Sequence, residues 1–134
     1  MPASVLVVED EPYIVESLTF LLEREGHQVS SVLDGDAAVD AITQLRPDLI
    51  VLDIMLPKRN GFEILSWIRS NEATRDARVL ILTAKGQEPD RRRAETLGVD
   101  AFVTKPFSNS DVVSQVNALL ARAVPAERAE PPRH

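Results

Sequence analysis

The sequence predicts an α/β fold, a doubly wound parallel sheet of five strands flanked by five helices. Three observations predict it. Short apolar runs of strand length alternate with amphipathic stretches of helical length. The run Leu49–Asp53 is apolar at successive positions and closed by an acid, the pattern of a strand covered on both faces. The chain has 134 residues, enough for one domain that buries a core without metal or disulfide staples.

The elements follow in order. Ser4–Val8 is a β-branched and leucine run, the first strand (β1). Ile14, Val15, Leu18, Leu21 and Leu22 keep helical spacing and place helix α1 from about Pro12 to Glu25. Pro12 suits a first turn, where no backbone donor is needed, and Gly26 suits the stop. Gln28–Val32 is β2. Asp34 or Asp36 caps α2, which carries Ala38, Val39 and Ile42 and ends before Pro47. Leu49–Asp53 is β3. Helix α3 spans about Gly61 to Ser70, with Ile64, Leu65 and Ile68 inward. Val79–Thr83 is β4. A polar helix, α4, runs near Glu88–Leu97 and stops at Gly98. Ala101–Thr104 is β5. Val112, Val113, Val116, Leu119 and Leu120 mark α5, which ends near Ala123. Residues 1–123 are read as one domain. Residues 124–134, rich in Pro, Ala and charge, are read as a disordered tail or linker. There is no internal repeat.

Composition narrows the function. The chain has no cysteine, so disulfides and thiolate metal sites are excluded. A net charge of −6 argues against direct nucleic-acid binding by this chain. The start, MPASVLVVEDE, lacks a basic region and a long apolar run, and no stretch approaches a membrane span. The expectation is a soluble cytoplasmic protein.

In open α/β sheets, ligands bind beyond the carboxyl ends of the strands, near the point where strand order reverses. Here β1 is followed by Glu9 and Asp10, and β3 ends in Asp53. β4 ends in Thr83, and β5 is followed by Lys105 and Pro106. All should face one edge. Three carboxylates about 5 Å apart repel by roughly 3 kcal/mol per pair at an effective dielectric of ~20. Such a cluster holds protons or binds a cation. With only oxygen donors the cation is hard, and Mg²⁺ (or Mn²⁺) beside a phosphate oxygen fits. Three carboxylates are balanced by one divalent ion and Lys105. The neutralised Asp53 could then approach phosphorus, with the cation and lysine holding the equatorial oxygens.

The segments VVEDE, LDIMLPKRNG, ILTAKG and FVTKPF, in that order, resemble the receiver domain of two-component response regulators (the CheY-like superfamily) over about residues 4–122. The resemblance implies a flavodoxin-like strand order, 2-1-3-4-5. It implies that Asp53 accepts the phosphoryl group, that Glu9 and Asp10 are the metal-binding pair, and that the Met55 backbone carbonyl is a further metal ligand. Lys105 would pair with phosphoryl oxygens, and Lys105–Pro106 would be cis. Thr83 and Phe102 would be the switch hydroxyl and aromatic. Ala84 would leave room for the phosphodonor, and Gly61 would permit the turn into α3. Implied partners are a sensor histidine kinase or histidine phosphotransfer protein, and a downstream target or an effector domain beyond this chain. A phosphorylation-dependent homodimer through the α4–β5–α5 face is a further implication. Such a protein is no conventional enzyme, because it catalyses only its own phosphorylation and dephosphorylation.

Other residues read as structural. Glu11 is solvated charge or helix-start support. Trp67 packs, and Arg91–Arg93 is a solvated helix face. His27 and His134 stand isolated. Asp100 loosely fits the charged-pair dimers of one DNA-binding subfamily, but Ala101 and Gln115 stand where that subfamily has an acid and a base. Met55 and Lys85, two residues past the acceptor and the switch threonine, are poor at placing an attacking water, so a long-lived phosphoform is expected.

Three alternatives fit these residues less well. A haloacid-type phosphatase needs an acid two residues after its nucleophile, where this chain has Met55. A flavodoxin-like cofactor binder would meet repulsion from Glu9-Asp10-Glu11. A degenerate receiver would lack part of the acid, threonine and lysine set, which is complete here.

Overall fold

The computed structural model describes residues 3–84 and 88–121. The readings made for Lys85, for the tail from 122 onward and for His134 lie outside the described residues.

Ten elements alternate: β1 Ser4–Val8, α1 Pro12–Arg24, β2 Gln28–Val32, α2 Gly35–Leu45, β3 Leu49–Asp53, α3 Gly61–Ser70, β4 Arg78–Ala84, α4 Glu88–Thr96, β5 Ala101–Lys105 and α5 Asn109–Ala121. All strand pairings are parallel and the order is β2-β1-β3-β4-β5. The chain winds outward from β1 to one edge, returns to β3, and winds to the other. The order therefore reverses between β1 and β3.

Strand side chains alternate between two faces, which divides the core in two. On one face Leu6, Val8, Ile50, Leu52, Val79 and Ile81 pack with Ala38, Ile42, Ile64, Leu65, Ile68 and Ala94 of α2, α3 and α4. On the other, Val5, Val7, Leu49, Val51, Leu80 and Leu82 pack with Leu18, Leu22, Val112, Val116 and Leu119 of α1 and α5. Central strands buried on both sides need apolar residues at every position, which is why Leu49–Asp53 reads as an unbroken run. Trp67 is half-buried and packs against the first core, as expected.

Local signals set the helix ends. Of the two candidates, Asp34 caps α2, its Oδ1 accepting from the Ala37 amide at 2.8 Å. Asn60 does the same for α3, accepting from the Glu63 amide at 3.0 Å. The turn closing α1 passes through Gly26 at φ 91°, a left-handed conformation that favours glycine.

Candidate functional site

Because β1 and β3 are neighbours, Glu9 and Asp10 emerge beside Asp53 at the point where strand order reverses. One carboxylate oxygen from each of the three lies within 4.8 Å of the others. Glu9 and Asp53 are buried and Asp10 is exposed. Lys105 enters from β5, opposite Ala84 of β4. Its Nζ stands 2.7 Å from Glu9 Oε1 and 3.4 Å from Asp53 Oδ2. Among the described residues the Lys105 ammonium is the group that faces buried Glu9 Oε1. Glu9 Oε2 accepts from the Glu11 amide at 3.0 Å, and Asp53 Oδ1 from the Met55 amide at 3.3 Å. The Lys105–Pro106 peptide is cis.

Burial dominates the electrostatics. It pushes Glu9 up to about 7, against the pull of Lys105 and the Glu11 amide. It also raises Asp53, although Lys105 and the Met55 amide favour its charged form. Burial works against the Lys105 ammonium too, but Glu9 and Asp53 together outweigh it and hold the lysine above its usual value. One lysine thus faces two buried acids and an exposed third. These three acids, with one lysine against them, make a compact all-oxygen cluster of excess negative charge that suits a hard divalent cation.

Asp53 opens on a cleft of about 340 Å³ lined also by Met55, Ala84, Lys105 and Glu11, among others. Gly61 explains how α3 sits so close behind it. A Cβ there would fall 2.6 Å from the Asp53 carbonyl oxygen and 2.7 Å from Ile54 Cα. Thr83 is buried on β4, next to β3, and its hydroxyl makes a long 3.4 Å contact with the Ala84 carbonyl. Phe102 is half-buried on β5 against the core of the α2, α3 and α4 face.

Two expectations are extended and two corrected. Glu11 is exposed at the start of α1, as expected, and its carboxylate also stands 3.7 Å from Lys105 and lines the cleft. The sequence signal was only its adjacency to Glu9 and Asp10. Arg91–Arg93 is an exposed face, as expected, and in addition the Arg91 guanidinium lies 4.8 Å from the Phe102 ring centroid and that of Arg93 4.3 Å from Phe62. His27 is not isolated: the fold brings it to the Ala3 amide and the Asn117 side chain. Asp100 is turned inward, where Oδ2 accepts from Arg69 and from the Val79 amide, both at 2.8 Å. Buried within its own chain, it does not present the surface charge of a paired dimer face.

A doubly wound sheet whose strand ends gather two buried acids, an exposed acid and a lysine defines the signal-receiver class of α/β proteins. The chain belongs to the response regulator receiver domain family, whose model matches residues 5–117. It is 41% identical over 125 residues to the phosphate regulon transcriptional regulatory protein PhoB of Escherichia coli (strain K12), covering 93% of this chain and 55% of PhoB. It is 40% identical over 118 residues to the DNA-binding dual master transcriptional regulator RpaA of Synechocystis, covering 88% of this chain and 49% of RpaA. The chain thus spans about half the length of the curated relatives it matches. Among solved structures it resembles the signal receiver domain of a signal transduction histidine kinase from Syntrophus aciditrophicus. That match has a TM-score of 0.83 and 32% identity, and covers 98% of each chain.

The chain is therefore a phosphoacceptor receiver domain of two-component signalling rather than a conventional enzyme. Among the described residues, no helix is long and apolar enough to cross a membrane.

Proposed function

We propose that Asp53 is the phosphoryl acceptor of a signalling switch working in the cytoplasm. The carrying observation is that Asp53 and Lys105 line one cleft, with the lysine within 3.4 Å of both Asp53 and buried Glu9. A phosphohistidine on a kinase or phosphotransfer protein presents its phosphorus to an Asp53 oxygen. The new P–O bond forms an acyl phosphate, the P–N bond breaks, and the imidazole nitrogen takes up a proton. Lys105 moves from the acids toward the phosphoryl oxygens, where its charge is worth most.

Glu9, Asp10, Asp53 and the Met55 carbonyl would hold Mg²⁺ or Mn²⁺, which neutralises the acids and the phosphoryl oxygens when bound. Thr83 then bonds the phosphoryl group, and Phe102 follows into the space vacated. The α4–β5–α5 face changes with it, and that face is where a target protein, a second copy or an effector domain would dock. The relatives include transcription regulators and a histidine kinase, so the receiver alone does not set the output.

The test adds a small-molecule phosphodonor and Mg²⁺ to the wild type and to Asp53→Asn. Labelling of the wild type alone is expected. Equal labelling of both would remove Asp53 from the role.

A further inference from the structure

The junction between β2 and α2, residues 32–36, touches both loops that bear the acidic cleft. The Val32 carbonyl accepts from the Glu9 amide at 3.2 Å, and the Gly35 amide donates to the Pro57 carbonyl at 3.1 Å. On either side of that second bond are ion pairs. Lys58 Nζ lies 3.7 Å from Asp34 Oδ2, and Arg59 Nε donates to Asp36 Oδ1 at 2.8 Å. Three consecutive residues of the β3–α3 loop are clipped to three consecutive residues at the start of α2.

The clip leaves no room for a side chain at its centre. A Cβ on Gly35 would fall 2.4 Å from both the Cβ and the carbonyl oxygen of Arg59. Backbone cannot swing aside as the end of a long side chain can. Lys58 is held at φ 70°, a left-handed conformation uncommon for a residue with a side chain. Asp34 divides its carboxylate, with Oδ1 capping α2 and Oδ2 facing Lys58.

The inner half of the same loop closes on itself. The Ile54 carbonyl accepts from the amides of Leu56 and Gly61. Met55 is the residue spanned by the Leu56-to-Ile54 bond, two positions before the clip begins at Pro57.

We propose that the β2–α2 junction is a strut that sets the spacing between the Glu9–Asp10 loop and the Asp53–Met55 loop. Gly35 is its positioning residue for a divalent cation in the cleft. The inference rests on the reading of that cleft as a Mg²⁺ site. Helix propensity favours alanine over glycine, so a loss on Gly35→Ala runs opposite to the local effect.

The experiment titrates Mg²⁺ alone into the full chain by calorimetry, with urea denaturation alongside, for the wild type, Gly35→Ala and Asp10→Asn. Asp10→Asn is expected to bind far more weakly. Wild-type binding by that variant would place the ion elsewhere and overturn the cleft reading, and the strut with it. With Asp10→Asn impaired, a folded Gly35→Ala should bind Mg²⁺ about tenfold more weakly. Undiminished affinity in that variant would overturn the strut while leaving the cleft reading intact. Should Gly35→Ala not fold, Asp34→Asn/Asp36→Asn keeps a capping side chain and removes both ion pairs. Amide exchange at Met55 and Leu56 should then quicken and Mg²⁺ affinity fall about twofold. Unchanged exchange and affinity would likewise overturn the strut.

Discussion

The ammonium of Lys105 lies nearer to Glu9, at 2.7 Å, than to Asp53, at 3.4 Å. The lysine is held by the fully buried acid and only leans on the proposed acceptor. Glu9 therefore decides both how the cleft titrates and how readily the lysine is released.

The folded pKa of Glu9 is raised to about 7 by burial. In metal-free protein its contribution to stability is complete below its unfolded value, near 4.5, where both states hold the proton. As pH rises from there to about 7, the unfolded chain ionises first, so stability falls. Asp53 is raised by burial in the same direction. The unfolding free energy from urea denaturation in a chelating buffer should drop across this window by about 3 kcal/mol at most. Glu9→Gln should flatten that dependence, and Mg²⁺ should restore the wild type. A midpoint that climbs from pH 5 to 7 in metal-free protein would contradict the assignment.

Arg69 and Asp100 form a second buried pair at the opposite end of the sheet, with side chains 12% and 3% exposed. Arg69 also donates to the carbonyls of Gly98, Arg75 and Ala77, tying α3 to the turns around β4 and β5. Removing one buried partner strands the other. Arg69→Met or Asp100→Ala should each lower unfolding stability by about 3 kcal/mol. Arg69→Met/Asp100→Leu should cost less than the sum of the two. Chemical denaturation reads both, and single losses below about 1 kcal/mol would show the pair to be solvated.

The Arg91 guanidinium covers the Phe102 ring, while its exposed side chain also reaches Glu88 at 3.7 Å. This stacking favours the present position of the proposed switch aromatic. A cation–π contact at a partly exposed site contributes about 0.5–1 kcal/mol. Arg91→Ala should thus raise the affinity for beryllofluoride with Mg²⁺ about two- to fivefold, since RT is about 0.6 kcal/mol. Weaker binding in the variant would mean that the stack supports the activated arrangement instead.

The thioether of Met55 is exposed at the cleft and offers no acid or amide to orient a water. The phosphorylated protein should persist for minutes or longer and lose its label more slowly still when unfolded. Met55→Glu or Met55→Asn should shorten that lifetime severalfold. Following the acyl phosphate over time tests this, and a wild-type lifetime of seconds would contradict it.

Elements and site were unequally legible in the sequence. The bounds of β1, β2, β3 and α3 could be read directly, because periodicity and end signals are local. Asp53, Lys105, Glu9 and Asp10 could be brought together because parallel winding places every strand's carboxyl end on one edge. The cap of α2 stayed open between Asp34 and Asp36, since either side chain can accept from an amide three residues on or nearby. The Ala37 amide chose Asp34 once β2 and the Pro57 loop fixed the entry of the chain.

The sequence by itself determined the fold class, the element order and the identity of the acids and lysine at the strand ends. Those follow from hydrophobic period and from where a parallel sheet must place its chain reversals. Only the tertiary structure decided that Lys105 favours Glu9, that Asp100 turns inward to Arg69, and that Arg91 lies over Phe102. It alone also placed Glu11 at the cleft and Gly35 against Arg59. Each is a contact between distant segments, set by burial and steric fit when the elements pack, and no local pattern along the chain encodes it.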